Sequence, residues 1–190
     1  IPVFRMMNPN KITNVRIIKE VQAMNGDASH CLKIHEIRHD GETVPVKDRE
    51  FKIEFIGDSI TSGEGSVGTG EDEDWISFYF SHVNSYPYMV AKELNAECRV
   101  FSQSGWGVHC SWDNQISCNI PDYYENICSV LPHGDFDEMQ VYEKNDFSKW
   151  QADFIVVNLG TNDDGAFHNE GFYDEKTKET YKLRMVGDEY

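Results

Sequence analysis

Long apolar runs are missing from this sequence. None approaches the ~20 residues that a membrane-spanning helix needs, so no membrane partner is expected. Basic side chains are scarce: 17 Lys and Arg stand against 33 Asp and Glu, for a formal charge of −16. Such a surface repels nucleic-acid phosphates and anionic lipid headgroups, which argues against both. It suits a neutral substrate, although acidity that only keeps a protein soluble reads the same way. Among the five cysteines, Cys31, Cys98, Cys110, Cys118 and Cys128, there is no C-x-x-C pair, so neither zinc nor dithiol redox chemistry is indicated. Free thiols in a reducing compartment, hence the cytoplasm, are the simplest reading, with partial pairing in a secreted enzyme as the alternative. Repeats and low-complexity tracts are missing; no leader segment is visible, and one could precede Ile1. The chain starts at Ile1 and ends at Tyr190 with no closing element in sight, and it reads as a piece of a longer protein.

What is present is a globular composition, 39% hydrophobic and 13% aromatic. Val15 and Ile17 alternate with polar neighbours, as do Leu32 and Ile34, with Asn25-Gly26-Asp27 between them. That is the period of two half-buried strands over residues 12–39 joined by a tight turn. Two strands alone are marginal, so they are expected to close a β-domain, with the polar stretch 40–50 as its linker. Residues 1–47 are assigned to that unit and 48–190 to a second one.

The pattern then changes. Phe51–Ile56 reads as a strand, 75–95 as helical with Pro87 breaking or starting a segment, Cys98–Phe101 as a second strand, and Tyr123–Val130 as a helix inside a long connection. Phe154–Leu159 reads as a third strand. Its near-continuous apolar run predicts a parallel strand covered on both faces. Each strand ends in a Gly-containing polar turn, which is α/β organisation with the ligand edge at the carboxyl ends of the strands.

The three turns carry the chemistry. Ile56-Gly57-Asp58-Ser59-Ile60 delivers a serine into a small-residue turn, where a base can activate its hydroxyl; a serine that merely caps a helix would look alike. Ser104-Gly105-Trp106-Gly107 offers a backbone N–H, and Gly160-Thr161-Asn162-Asp163 offers a neutral amide donor. Either could be an ordinary turn. Together they bring a nucleophile and two donors to one sheet edge, with Ser59 N–H, Gly105 N–H and the Asn162 amide as candidate oxyanion donors. Asp58, Trp106 and Gly107 beside them are candidates for substrate contact. Trp106, with Trp112, Asp113 and Asn114, could stack on and hydrogen-bond a sugar ring or could fill the core under a loop. Glu71-Asp72-Glu73-Asp74 lacks the Gly and terminal Glu of a calcium loop, so no metal site is expected.

In order and spacing these three turns resemble the first three sequence blocks of the GDSL (SGNH) hydrolase superfamily, over residues 51 to about 170. The resemblance implies a three-layer α/β/α fold with a parallel sheet, incomplete here, with Ser59 as nucleophile and Gly105 and Asn162 in the oxyanion hole. The strands ahead of the first block are similar to carbohydrate esterase family 2, whose members place a jelly-roll β-sandwich before the hydrolase domain and remove acetyl groups from sugars and xylan. The implied activity is a serine-dependent carboxylic ester hydrolase acting on acetylated carbohydrate or another small neutral ester, without cofactor. The alternatives are a lipase- or thioesterase-type enzyme on the same fold, and a non-catalytic carbohydrate-binding module. One block is absent. The family's Asp-x-x-His has no counterpart after Asn162. Asp27-Ala28-Ser29-His30 precedes the nucleophile, His168 follows the third block on a loop where the chain leaves the sheet, His109 is a loop histidine close to the second, and His35, His39, His82 and His133 lack a catalytic setting. The base is therefore expected beyond residue 190.

Overall fold

A computed structural model of the chain describes residues 8, 10–24, 32, 34–68, 70, 75–131, 134 and 136–184. Its centre is a parallel three-stranded sheet in the order β2-β1-β3. The strands are β1 (Phe51–Gly57), β2 (Ala96–Ser102) and β3 (Phe154–Asn158). The register sets Gly57 opposite Ser102 on one side and Asn158 on the other. All three strands therefore deliver their following turns to the same edge.

β1 is the central strand, and its alternation of side chains builds two cores. Ile53 and Phe55 face helix α2 (Tyr86–Glu93) with Ala91 and Ala96; the Phe55 ring meets Tyr86 edge-on. Burying such an aromatic contributes about 1.5–3 kcal/mol. Pro87 lies in the first turn of α2, where a missing N–H costs no hydrogen bond. The helical reading of 75–95 narrows to this helix, preceded by two 3-10 turns at Ser77–Tyr79 and His82–Asn84. On the opposite face Glu54 is buried and accepts from Tyr124 Oη at 2.6 Å. Tyr124 belongs to α3 (Ile120–Tyr124), and both Tyr123 and Tyr124 rest on Phe101. Helices on both faces give the layered α/β arrangement that the sequence predicts.

Three expectations change. α3 lies earlier and is shorter than the predicted 123–130, because Asn119 caps it by accepting from Asp122 N at 2.9 Å and Pro121 sits in its first turn. β3 is an edge strand, not a covered one: Phe154 is 55% exposed and Val157 62%. An apolar run records what a strand's faces are suited to meet, and in the described structure only β1 has neighbours on both sides. No strand is assigned among the described residues of 12–39, where Val15, Ile17, Leu32 and Ile34 are exposed. Alternation alone leaves such a pair with nothing to bury against. The Asn25-Gly26-Asp27 turn lies outside the described residues, and 40–50 carry no element.

Beyond β3 come α4 (Thr161–His168) and a short antiparallel hairpin, β4 (Phe172–Asp174) with β5 (Glu179–Tyr181). None of the described helices is long and apolar enough to cross a membrane.

Candidate active site

Ser59 is the first residue of α1 (Ser59–Ser62), directly after β1. Asp58 caps this single turn, its Oδ1 accepting from Ile60 N at 3.1 Å. Asp58 is itself buried, and its Oδ2 has no partner among the described residues. Burial raises its pKa above the usual carboxylate range, against the backbone hydrogen bonds that lower it. Neither the N–H nor the hydroxyl of Ser59 has a hydrogen-bond partner among the described residues. Both remain available to a substrate.

Gly105 follows β2 in a turn whose neighbours are all engaged. Ser104 N donates to Gln22 Oε1 at 3.0 Å and Trp106 N to Gln103 O at 3.3 Å, while Gly105 O accepts from Trp112 N at 2.9 Å. The Gly105 N–H has no acceptor among the described residues. Its φ of +79° is a left-handed conformation that a side chain would strain. Gly107 is required for a different reason: a methyl group there would collide with the Asp163 carboxylate and the Cys110 carbonyl.

Asn162 and Asp163 lie in the first turn of α4, after β3. The Asn162 side-chain amide donates to Trp106 O at 3.0 Å, which ties the third turn to the second and leaves its other amide hydrogen unspent. Asp163 is buried, and its two oxygens accept from Val108 N at 2.8 Å and His109 N at 2.9 Å. The third motif contains Asp163 without assigning it this role; the signal for it is an acidic residue in a helix's first turn.

The two tryptophans separate. Trp106 is half-buried with its ring edge-on to Tyr123 at 5.5 Å. Trp112 lies beside Gly105 and is 51% exposed. Asn114 is fully buried: its amide donates to Ala166 O and Glu170 O, and its oxygen accepts from Leu183 N. It anchors the loop and does not face solvent.

No described histidine hydrogen-bonds Ser59. His168 is exposed and pairs with Asp164 on its own helix at 3.9 Å. His82 packs against Tyr88, His109 is exposed, and His35 and His39 lie in the exposed stretch ahead of β1. His30 and His133 lie outside the described residues, as does the acidic run 71–74. Among the described residues no group of three or more His, Cys, Asp or Glu could hold a metal. Burial pushes the Cys98, Cys110 and Cys118 thiols up, so none is poised as a competing nucleophile.

No protein-family model matches the chain. It is 34% identical over 117 residues to the cellulase/esterase CelE of Acetivibrio thermocellus, an alignment covering 62% of this chain and 13% of that protein. Among solved structures it is similar to the acetyl xylan esterase Est2A of the rumen bacterium Butyrivibrio proteoclasticus, with a TM-score of 0.73 and 46% identity, over 80% of this chain and 41% of that one. It is also similar to a family two carbohydrate esterase from Clostridium thermocellum, solved with cellohexaose, with a TM-score of 0.54 and 32% identity, over 72% of this chain and 37% of that one. The chain thus spans less than half the length of each of these three relatives. By sequence and by its parallel α/β sheet, the chain is a homologue of the family two carbohydrate esterases, which have the SGNH fold.

Proposed function

We propose that this chain carries the nucleophile and the oxyanion-binding groups of a serine-dependent carboxylic ester hydrolase that removes acetyl groups from acetylated carbohydrate. The observation that carries the reading is the unengaged Gly105 N–H, flanked by amides that are all bonded, at the same sheet edge as the unengaged Ser59 and the half-spent Asn162 amide. All three residues are only partly buried, so donors without internal partners there are open to solvent or to a bound group. A developing oxyanion is such a group.

In this mechanism Ser59 Oγ attacks the acetyl carbonyl carbon while a base takes the hydroxyl proton. Charge builds on the carbonyl oxygen, where Ser59 N–H, Gly105 N–H and Asn162 Nδ2 donate to it. The tetrahedral intermediate collapses, the proton passes to the departing sugar oxygen, and an acetyl-serine remains. Water, deprotonated by the same base, attacks that ester and releases acetate. In the family's pattern this base is the histidine of the Asp-x-x-His block, which has no counterpart after Asn162 in this sequence. No cofactor enters any step.

The sugar half of the proposal draws on the relatives named above as acetyl xylan esterase and as a structure with cellohexaose. It also draws on Trp112, whose half-exposed ring beside Gly105 offers a flat face for a sugar. Labelling with a fluorophosphonate probe tests the chemistry, in the protein at its full natural length. Labelling at Ser59 that Ser59→Ala abolishes is expected, together with faster turnover of acetyl than octanoyl esters. Absence of labelling would overturn the catalytic assignment in favour of a binding module, and a preference for octanoyl esters would overturn the acetyl assignment. The 190 residues alone are expected to turn over esters poorly, and His168→Ala to change nothing.

A further inference from the structure

We infer that Gln22, from the segment that precedes the sheet, is a positioning residue for the Gly105 N–H, acting through Ser104; the inference rests on the esterase reading above. The segment 20–24 is fastened at three points. The Glu20 carboxylate accepts from Ser81 Oγ and Val83 N, each at 3.2 Å, and the Glu20 carbonyl accepts from His82 N at 3.0 Å. Ala23 is buried in an apolar cluster with Leu131, Phe136 and Val141. Between these anchors Gln22 Oε1 accepts from Ser104 N at 3.0 Å and lies 3.0 Å from Ser104 Oγ.

Ser104 Oγ also donates to Glu64 Oε2 at 2.7 Å. A hydroxyl has one proton, and the closer, charged carboxylate has the stronger claim on it. The backbone N–H of Ser104 then fixes which end of the Gln22 amide faces the turn. That contact matters for the next residue. The turn is held from three sides: at Ser104 by Gln22, at the Gly105 carbonyl by Trp112, and at the Trp106 carbonyl by Asn162. Gln22 is the one of these three that lies before β1 in the chain, 82 residues from its target. Removing it frees the peptide unit next to the one that carries the Gly105 N–H.

A purely structural role for Gln22 explains less. Its Nε2 is buried with no acceptor among the described residues, an arrangement that costs stability. For packing alone an apolar side chain of the same length would serve better. The retained amide is accounted for by the use made of its oxygen.

The test compares Gln22→Met, Gln22→Glu, Glu64→Gln and the double variant Gln22→Glu/Glu64→Gln in the protein at its full natural length, assayed on 4-nitrophenyl acetate with melting temperatures alongside. Gln22→Met keeps the volume and removes the acceptor. It is expected to lower kcat five-fold or more, with KM within two-fold and the melting temperature unchanged or raised. Gln22→Glu sets two carboxylates against Ser104 and lowers kcat as well. The double variant moves the charge to the other side of Ser104 and is expected to recover kcat to within two-fold of wild type. Wild-type kcat in Gln22→Met, or a loss of kcat accompanied by an equal loss of thermal stability, overturns the positioning role. So does failure of the double variant to recover. A wild-type protein that neither hydrolyses the ester nor labels at Ser59 overturns the esterase reading itself, and this inference with it.

Discussion

At Asp58 the chain buries a carboxyl group and uses one of its two oxygens. Burial raises its pKa, so the folded state holds the proton more tightly than the unfolded chain does. Stability from this group is therefore complete at pH values below the unfolded pKa and is lost as pH rises through the folded one. Asn in its place keeps the size and the helix cap without the charge. Asp58→Asn is expected to match wild type in urea midpoint near pH 3, below the unfolded pKa, and to exceed it at pH 7. A wider gap at the acidic end would contradict the sign. Asn162 shows the opposite logic, a neutral group facing charge that forms only during reaction. Removing one such donor costs about 10²–10³-fold in kcat, which is the loss expected for Asn162→Ala in the full-length protein. Asn162→Asp should be at least as damaging, since a carboxylate would repel the oxyanion; steady-state kinetics on an acetyl ester decide both. These three candidate donors were legible in the sequence because small residues at strand ends are visible as short motifs. Gln22 was not legible, because nothing in residues 20–24 hints at a partner 82 positions away.

At the level of elements, the long connection between β2 and β3 is organised by side chains that act as backbone. Asn114, at φ +68°, joins the loop to the far end of α4 and to Leu183 through three hydrogen bonds. Each buried partner left unmatched costs about 1–3 kcal/mol, and a left-handed alanine adds about 1 kcal/mol or more. Asn114→Ala is expected to destabilise the chain by about 3 kcal/mol or more, read as a lower urea midpoint at constant slope. Sequence reading placed the three sheet strands to within one or two residues because their apolar runs are bounded by Gly-rich turns. The helix expected at Tyr123–Val130 lies earlier, because the Asn119 cap and Pro121 set where α3 begins. The strands expected at 12–39 rest on alternation, a pattern that describes a face without supplying what covers it.

For the molecule as a whole, β3 presents an apolar flank to solvent. Phe154, Ile155 and Val157 are all more than half exposed on a strand with one side unpaired among the described residues. Such an edge invites pairing with another chain, and a net charge of −16 opposes it. Self-association of the 190 residues is therefore expected to increase with salt, as screening removes the opposition. Val157→Lys is expected to suppress it, and light scattering against concentration in 0.05 and 0.5 M NaCl would show both; scattering indifferent to salt would contradict the balance. The Asp163 carboxylate, held between the amides of Val108 and His109, also has a practical consequence for protein engineering. The second and third motifs are one transferable part: a donor loop moved to a new scaffold without the helix that carries that acid would arrive with its shape undetermined, so any transplant of this chemistry has to move both together.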